Sequence, residues 1–200
     1  TAAEMPGRLR AVPDRTGVTR PFRVVLADHN LHIGSDMGGS AQPGIQEALA
    51  AVGVETRVGG EVISISPASI ALKSGEEIAT STVVWSAGMR ANPRTALFAV
   101  EPDRFGRIPV DEFMRVKGVA DVFAAGDLAS AGVDDTHTSV MSCQHARPMG
   151  RFAGHNVVSD LLNLPILPLR IQWYTTILDL GDWGAVYTEG WDRHVVAKGE

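Results

Sequence analysis

A chain of 200 residues that is 44% hydrophobic is long enough for one large or two small domains with real cores. Its 18 basic and 23 acidic residues give a formal charge of −5 and no basic stripe, which excludes the phosphate-contacting surface of a nucleic-acid-binding protein. The one cysteine, Cys143, excludes an internal disulfide framework and a CxxC redox pair, and we interpret it as a small buried apolar residue.

The start of the chain and its hydropathy bear on location. No apolar run approaches the roughly 20 residues of a membrane span, and the start carries no signal-peptide pattern. We therefore expect a cytoplasmic protein, with peripheral membrane contact left open. The opening "TAAEMPGRLRAV" is typical of the middle of a helix, because it has good helix formers and no cap. We expect that the chain begins inside an element of a longer protein.

The first half of the sequence predicts a parallel α/β sheet. "RPFRVVLADHN" predicts a buried strand, and the glycine-rich "GSDMGGSAQPG" predicts a flexible connection. Ile45, Leu49 and Val52 mark one face of a helix that Gly53 ends. Strands "VETRV" and "EVISIS", a hairpin in "SIALKSGEEIATS" and a buried strand "TVVWSAG" follow. This order is typical of a Rossmann-like parallel sheet on which the hairpin is a decoration.

The second half predicts shorter elements. Two short strands are expected in "GRIPVDEFMRV" and a buried strand in "DVFAAGD". The next helix carries Met149, Ala153, Val157 and Leu161 at spacing four, with Phe152 beside them. "RIQWYTTILDL", "GAVYT" and "RHVVA" predict antiparallel strands, separated by the turn sequences "GDWG" and "EGWD".

Two strand ends in the first half are candidate ligand sites, because open α/β sheets bind ligands beyond the carboxyl ends of their strands. Asp28 could accept hydrogen bonds from the hydroxyls of an adenosine ribose and would repel the 2′-phosphate of NADP, which favours NAD. An Asp at this position can equally be a turn residue or a helix cap. Ala87 and Gly88 would let backbone approach a cofactor closely, and tight packing is the equal alternative.

The third strand end is "DVFAAGDLAS". Gly126 permits a close approach or a positive φ, and Asp127 then points past the strand end, where its carboxylate can bind a polyol hydroxyl. The alternative is a tight turn that Asp127 stabilises. The helical stretch "SCQHARPMGRFAGHNVV" follows shortly after and favours the binding interpretation.

Pro148 indicates where that helix starts. Because proline lacks an N–H and is tolerated only in the first helical turn, we expect the helix to begin no earlier than about His145. Gln144 and His145 would then lie at its amino end, where the dipole stabilises an anion such as a reduced flavin by roughly 0.3–1 kcal/mol. His145 itself is either a structural histidine that caps or packs, or a proton donor.

Four motifs in order, "TVVWSAGMRANP", "GRIPVD", "DVFAAGD" and "CQHARPMGRFAGHNV", resemble the FAD-dependent pyridine nucleotide oxidoreductases with two dinucleotide-binding domains, and most of all the type II NADH dehydrogenases. The resemblance covers about Thr1 to Leu164. It implies a partial NAD(P)-binding domain over residues 1–93, the C-terminal part of an FAD-binding domain over 94–164, and an antiparallel β or interface region over 165–200.

The resemblance implies an NADH site and a flow of electrons. Asp28 would contact the adenosine ribose of NADH, and Ala87 with Gly88 would form the backbone wall near the nicotinamide. Hydride would pass from NADH to FAD, and electrons would leave to a small-molecule acceptor, typically a quinone in the type II enzymes. No catalytic side chain and no metal are predicted, because the redox chemistry belongs to the cofactors.

The resemblance also implies an FAD site. Gly126 and Asp127 would hold the ribityl and pyrophosphate region of the flavin. Gln144, His145 and Ala146 would border the isoalloxazine ring on its pyrimidine and acceptor side.

The sequence departs from the family in two ways. Type II enzymes commonly carry an AQxAxQ pattern near the quinone, whereas this chain has Cys143 at the first alanine and Pro148 at the second glutamine, which weakens the case for a quinone acceptor. Neither GxGxxG loop is present, so both pyrophosphate loops are missing from the sequence. We therefore expect the chain alone to bind FAD poorly and to be inactive.

A second hypothesis is a non-catalytic α/β module that acts through protein contacts, and a homodimer is left open. Its basis is the missing phosphate loops together with an aromatic-rich end that could form an interface, although such residues can also pack internally. The aromatic residues concerned are Trp173, Tyr174, Trp183, Tyr187 and Trp191.

Overall fold

The computed structural model describes residues 2–17, 19–171 and 173–199. They form two compact units. The first unit contains the described residues up to 84 and from 173 onward, and the second contains those from 85 to 171. The final strands therefore pack with the beginning of the chain, although the sequence suggested a separate region from residue 165. The assignment of either part to NAD or FAD stays a prediction.

The first unit begins with two short helices and a parallel pair of strands. In chain order its elements are α1 (Met5–Arg10), α2 (Val12–Thr16), β1 (Val24–Ala27), α3 (Gln42–Val52) and β2 (Val54–Arg57). β1 and β2 pair in parallel, and α3 is the crossover between them. The predicted strand, helix and strand are confirmed, as a two-stranded sheet. The prediction that the first strand is buried was wrong, because all four residues of β1 are half-buried.

Helix α3 packs the core of the first unit. Ile45, Leu49 and Val52 are all buried, as their spacing predicts, and the helix ends at Gly53 with a left-handed φ of 83°. The glycine-rich connection before the helix contains one short 3-10 turn, Ser35–Met37. The buried core of this unit consists of Ala3, Met37, Ala41, Ile45, Ala48, Leu49, Val52, Val54, Leu180 and Val186.

The predicted hairpin is part of a separate antiparallel sheet. Its three strands are β3 (Val62–Ile65), β4 (Ser69–Leu72) and β5 (Glu77–Ala79), with β4 in the middle. The chain turns between β4 and β5 at Gly75, whose φ of 91° suits a residue without a Cβ. The hairpin and its turn position are confirmed.

The prediction of a buried strand at "TVVWSAG", residues 82–88, was wrong. This stretch has no strand assignment, and Val83, Val84 and Trp85 are exposed. A strand needs a neighbour to take its N–H and C=O groups, and none of the residues that the structure describes forms a ladder with this stretch. β-branched apolar residues favour a strand, but they do not form one without such a neighbour.

The second unit has little regular sheet. β6 (Ile108–Pro109) and β7 (Ala129–Ser130) pair in parallel over two residues each. The second strand predicted in "GRIPVDEFMRV" is interrupted, because Met114 has a φ of 70°, which is incompatible with an extended strand. "DVFAAGD" makes only a single bridge, from Phe123 to Arg115, so the prediction of a strand over its whole length was wrong.

Helix α4 (Cys143–Leu161) is the longest element of the second unit. It begins two residues earlier than Pro148 predicts, so this proline lies inside the helix and removes one backbone hydrogen bond. His145 and Met149 on either side of the proline are fully buried. Packing of these two side chains therefore outweighs the local penalty that the sequence prediction relied on.

The buried face of α4 follows the period of the helix and not the predicted spacing of four. His145, Met149 and Asn156 are buried, whereas Val157 and Leu161 are exposed. A step of four residues advances about 40° beyond a full turn, so a strict spacing of four moves off the buried face within a few turns. For that reason Val157 and Leu161, although they continue the spacing of four from Met149, lie off the buried face.

Asn156 joins three segments of the second unit. Its Nδ2 donates to the carbonyl oxygens of Phe113 and Leu167 at 2.9 and 2.8 Å, and its Oδ1 accepts the N–H of Leu167 at 2.8 Å. The core beside it consists of Ile108, Val110, Met114, Val116, Ala124, Ala129, Ala131, Met149 and Leu169. A fully satisfied amide at this position holds the proline-rich segment after α4 against that core.

The last strands return to the first unit. β8 (Thr175–Asp179), β9 (Ala185–Glu189) and β10 (His194–Gly199) form an antiparallel sheet with β9 in the middle. The three strands predicted at the end of the sequence, and the turns between them, are confirmed. The first was predicted over "RIQWYTTILDL" but extends only over Thr175–Asp179, and Gln172 in that stretch lies outside the described residues.

Most of the aromatic set at this end packs internally. The rings of Tyr174 and Trp191 stack with centroids 4.5 Å apart, and the Arg193 guanidinium lies 5.1 Å from the Tyr174 ring. Trp183 packs against the core of the first unit, and Trp173 is 76% exposed. An interface built from all five aromatic side chains is therefore not supported.

We expect Ile45→Ala to lower the free energy of unfolding by about 2–5 kcal/mol, because it leaves a cavity where a 1% exposed side chain packs. The matched control is Ile63→Ala in β3, where the side chain is 61% exposed and the expected change is within about 0.5 kcal/mol. Urea denaturation followed by circular dichroism measures both. Equal losses in the two variants would contradict the assignment of the core.

Candidate functional site

A short 3-10 turn in the second unit, Gly126–Leu128, leads into β7. Gly126 has a φ of 80°, in the region that side chains with a Cβ rarely adopt. Asp127 is exposed in the middle of the turn, and the buried Ala129 follows. The turn thus presents the Asp127 carboxylate to solvent, in the geometry that the sequence predicts. Its role in binding a cofactor stays a prediction.

The first turn of α4 lies against this 3-10 turn. A Cβ atom placed on Gly126 would lie 3.7 Å from the Cβ atom of Ala146, at van der Waals distance. The structure therefore brings together the two segments "AAGD" and "QHA" that the sequence predicted as parts of one site. The first N–H groups of a helix have no acceptor within it, so its amino end carries positive potential.

His145 points into the core and not toward solvent. Its side chain is 0% exposed, and its Nδ1 accepts the N–H of Val140 at 2.9 Å. Burial lowers the pKa of the His145 imidazole. The ring is therefore neutral at pH 7, and with Nδ1 accepting, its proton is assigned to Nε2. Of the two alternatives, the structure places His145 in the structural role and fixes the segment before α4.

The other residues of this helix start are more accessible. Gln144 and Ala146 are half-buried, so they can border a ligand at the amino end of α4. Cys143 is exposed, and the prediction that it is a buried apolar residue was wrong. It is the first residue of α4, where one side of the chain faces solvent.

A cleft of about 390 Å³ lies beside Asp127 within the second unit. Ala87 and Gly88 immediately precede its first wall, and Gly88 has a φ of 99°. The residues that line the cleft are Met89, Arg90, Ala91, Asn92, Asp127, Leu128 and Met141. The ends of "TVVWSAG" and "DVFAAGD", which the sequence predicted as two strand ends, thus lie at one cavity. This holds although "TVVWSAG" is not a strand.

The wall formed by residues 89–92 is anchored to the turn at residues 103–107. The N–H of Ala91 donates to the carbonyl oxygen of Phe105 at 2.8 Å. The Thr95 hydroxyl lies 2.9 Å from the carbonyl oxygens of both Asn92 and Gly106, so its one proton is shared between these two acceptors. The sequence analysis did not single out Arg90 or Asn92, although Asn-Pro directly after Gly88 is a turn signal that could have drawn attention to them.

Asp28 lies in the first unit, at the carboxyl end of β1 as predicted. Its N–H donates to the carbonyl oxygen of Arg57 at 2.8 Å, which continues the parallel pairing of β1 with β2. Its Oδ1 accepts from the backbone N–H and the side-chain Nδ2 of Asn30, at 2.9 and 3.0 Å. The turn role that the sequence left open is therefore present. The ribose-binding role stays a prediction.

Two kinds of feature are absent from the described part of the chain. Residues 2–17, 19–171 and 173–199 hold no cluster of three His, Cys, Asp or Glu side chains that could bind a metal ion. Within the same ranges, no helix is both long enough and apolar enough to cross a membrane.

Known sequences match this chain over most of its length. The family model described as pyridine nucleotide-disulphide oxidoreductase matches residues 9–150. An NADH dehydrogenase-like protein of Mycobacterium tuberculosis is 58% identical over 199 residues, which cover 100% of this chain and 50% of that protein. The type II NADH:quinone oxidoreductase of Haemophilus influenzae is 22% identical over 143 residues, 71% of this chain and 32% of that protein. The chain thus spans half or less of the length of these relatives.

A solved structure shows the same fold. The NAD-dependent persulfide reductase from A. fulgidus superposes with a TM-score of 0.70 at 20% identity, covering 84% of this chain and 31% of that one. Identity at this level supports the mixed α/β fold class and says nothing further about activity.

The buried His145 predicts a pH-dependent stability. Because its pKa is lowered in the folded state, the unfolded chain binds the proton more tightly, so stability falls as the pH drops below the unfolded value of about 6.5. We expect His145→Asn, whose Oδ1 can still accept the Val140 N–H, to lose less stability than the parent between pH 7.5 and 5.5. Urea unfolding at both pH values measures this. The control His194→Asn removes an exposed histidine of β10, and a loss equal to the parent in His145→Asn would contradict the prediction.

Proposed function

Because this chain belongs to the pyridine nucleotide-disulphide oxidoreductase family, we propose that it supplies part of the cofactor sites of an enzyme that passes hydride from NADH to FAD. The family is in general flavin- and NAD(P)-dependent. The observation that carries the proposal is the approach of Gly126 to Ala146, which sets an exposed carboxylate beside the amino end of a 19-residue helix. That pair of groups suits a ligand with hydroxyls and an anionic ring.

The residues of the second unit fit a flavin in their chemistry. Because Gly126 has no side chain, the backbone there can approach the flavin closely. The Asp127 carboxylate accepts hydrogen bonds from the ribityl hydroxyls. Gln144 and Ala146 border the ring at the positive end of α4, where negative charge is stabilised. His145 acts behind them by holding Val140 and the start of the helix in place.

The NADH contacts are proposed separately for each unit. In the first, Asp28 keeps its Oδ1 on Asn30 and offers its other carboxylate oxygen to the adenosine ribose, which favours NADH over NADPH. In the second, the backbone of Ala87 and Gly88 borders the nicotinamide. The absence of side-chain bulk at these two positions supports this assignment.

The bound cofactors supply the redox chemistry, and the residues of this chain bind and orient them. Asp127 and the helix start would hold the flavin at two points. We propose that electrons then pass to a small-molecule acceptor. A quinone is supported by the printed name of the Haemophilus influenzae relative, whereas Cys143 and Pro148 replace residues of the AQxAxQ pattern and argue for another acceptor.

We also propose that the activity belongs to a longer protein that works in the cytoplasm or at a membrane surface. The relatives are about twice as long, and the two GxGxxG loops that would hold the cofactor pyrophosphates are not in this sequence. Asp127 and Asp28 cannot replace those loops, because a carboxylate repels phosphate.

In the full-length protein, we expect Asp127→Ala to lower the amount of flavin that co-purifies, because one set of hydrogen bonds to the ligand is lost. We expect Asp28→Ala to raise the KM for NADH by about tenfold and to leave flavin content unchanged. Flavin absorbance after purification and steady-state NADH oxidation with a quinone or dye measure the two effects. Equal flavin loss in both variants would contradict the assignment of the two sites.

We expect the 200-residue chain alone to bind FAD at least about a hundredfold more weakly than the full-length protein, because it lacks the phosphate-binding loops. Fluorescence titration with FAD measures both proteins. Tight FAD binding by the chain alone would show that these loops are not needed. A full-length protein with neither flavin nor NADH oxidation would refute the proposed function itself.

A further inference from the structure

We propose that the outer face of α4 is the surface on which the rest of the longer protein docks, through the part that carries the phosphate-binding loops. The inference rests on the proposed function, because it takes from it the existence of that longer protein. The outer face lies opposite the buried side of the helix and consists of Gly150, Gly154, Val157, Val158 and Leu161.

The outer face of α4 is apolar although it faces solvent. Leu161 is 78% exposed and Val158 is 55% exposed, and Val157 is exposed beside them. At 3.6 residues per turn, the five residues of the face fall within an arc of about 100°, and none of them has a polar side chain. A surface helix usually turns such a stripe toward its own core. The core side of α4 is already packed through Met149, so this stripe is a second apolar face.

The two glycines of the face have no role in the packing of the second unit. A Cβ atom placed on Gly150 or Gly154 would have no heavy atom of the described residues within 4 Å, its own helix backbone aside. Glycine is an unfavourable residue in the interior of a helix, because its backbone loses the most freedom there. What it permits is the close approach of another backbone, since no side chain stands between the two segments.

The position of α4 indicates what covers this face. The amino end of the helix is the proposed place of the flavin ring, and the loops that would hold the flavin pyrophosphate are not in this sequence. The part of the longer protein that carries those loops must therefore come within one ligand length of the first turn of α4. The outer face starts at Gly150, about two turns from that end.

The relatives show that the absent part is large enough for such a contact. The Mycobacterium tuberculosis relative is 58% identical along this whole chain, which covers 50% of that protein. A length about equal to this chain is therefore left over to pack against it. An apolar face that meets solvent in half of a protein is accounted for when the other half contributes to one common core.

The test compares the accessibility of one introduced thiol in two proteins. Gly154→Cys, and as matched control Ala51→Cys on the exposed side of α3, are made in this chain and in the full-length protein. Each is labelled with a maleimide, and mass spectrometry of the peptides separates the introduced thiol from Cys143. We expect the thiol at position 154 to react at least about tenfold more slowly in the full-length protein, because docking shields it. Position 51 should react equally in both.

A bulky substitution reads the same contact through stability. In the 200-residue chain, Gly154→Leu should raise the Tm by about 2–4 °C, because leucine is the better helix former and the site is open. In the full-length protein it should lower the Tm by at least about as much, because a docked backbone leaves no room for the side chain. Ala51→Leu should shift the Tm by less than about 1 °C in both proteins.

Other occupants give different patterns, each of which would overturn the inference. Equal labelling at position 154 in both proteins would mean an uncovered face, and equal slowing at positions 154 and 51 would mean general shielding. Slow labelling of the 200-residue chain that speeds up on dilution would assign the face to a second copy. Slow labelling at every concentration would mean that the chain covers the face itself.

Shielding that appears only with vesicles of phosphatidylcholine and phosphatidylglycerol would assign the face to a lipid surface and overturn the inference as well. A full-length parent without flavin and without NADH oxidation would refute the proposed function. The labelling comparison does not depend on flavin or turnover, so it would still decide whether the outer face of α4 is a docking surface.

Discussion

The close approach of Gly126 to Ala146 is the constraint on which the candidate site depends. At 3.7 Å from the Ala146 Cβ there is room for a methyl group at position 126 and for little more, and the positive φ there disfavours even that. Because both positions are small, a tight turn and a helix start can share one corner of the second unit. The exposure of Asp127 follows from this arrangement. The turn that brings the Gly126 backbone close to α4 also directs the next side chain, Asp127, toward solvent.

In the second unit, hydrogen bonds from buried polar side chains hold the loops together, a task that long strands perform in a regular sheet. Its named strands are two residues long, so few ladder bonds hold its loops. Asn156 ties α4 to two other segments, and His145 holds the Val140 backbone. The buried Arg107 pairs with Asp103 and donates to the Ser139 carbonyl. Each of these groups forms at least one hydrogen bond to backbone within the unit, which stabilises irregular backbone in a buried place.

The sequence predicted best where local periodicity and packing agree. The face formed by Ile45, Leu49 and Val52, the hairpin at Gly75 and the three final strands are all present. In each case the apolar pattern and the turn residues point to the same structure.

The predictions failed where a distant contact decided the outcome. Nothing local reveals that "TVVWSAG" finds no neighbouring strand, that the buried His145 and Met149 outweigh Pro148, or that Cys143 faces solvent. Motif order singled out Gly126 and Asp127 as candidate site residues, because glycine and aspartate at a strand end have few uses, and their role in binding stays a prediction. Motif order could not single out Arg90, since exposed arginines are common and only its place in the lining of the cleft distinguishes this one.

The anchored wall of the cleft has a kinetic consequence. Residues 89–92 are tied to the turn at 103–107 by hydrogen bonds from Ala91, Thr95 and the Arg90 side chain. A ligand entering from this side does not have to order a loop, so it avoids the entropic cost that loop closure adds to binding. Association at this wall is then governed by diffusion and charge and needs no gating motion, and differences in affinity between ligands arise mainly in how fast they leave.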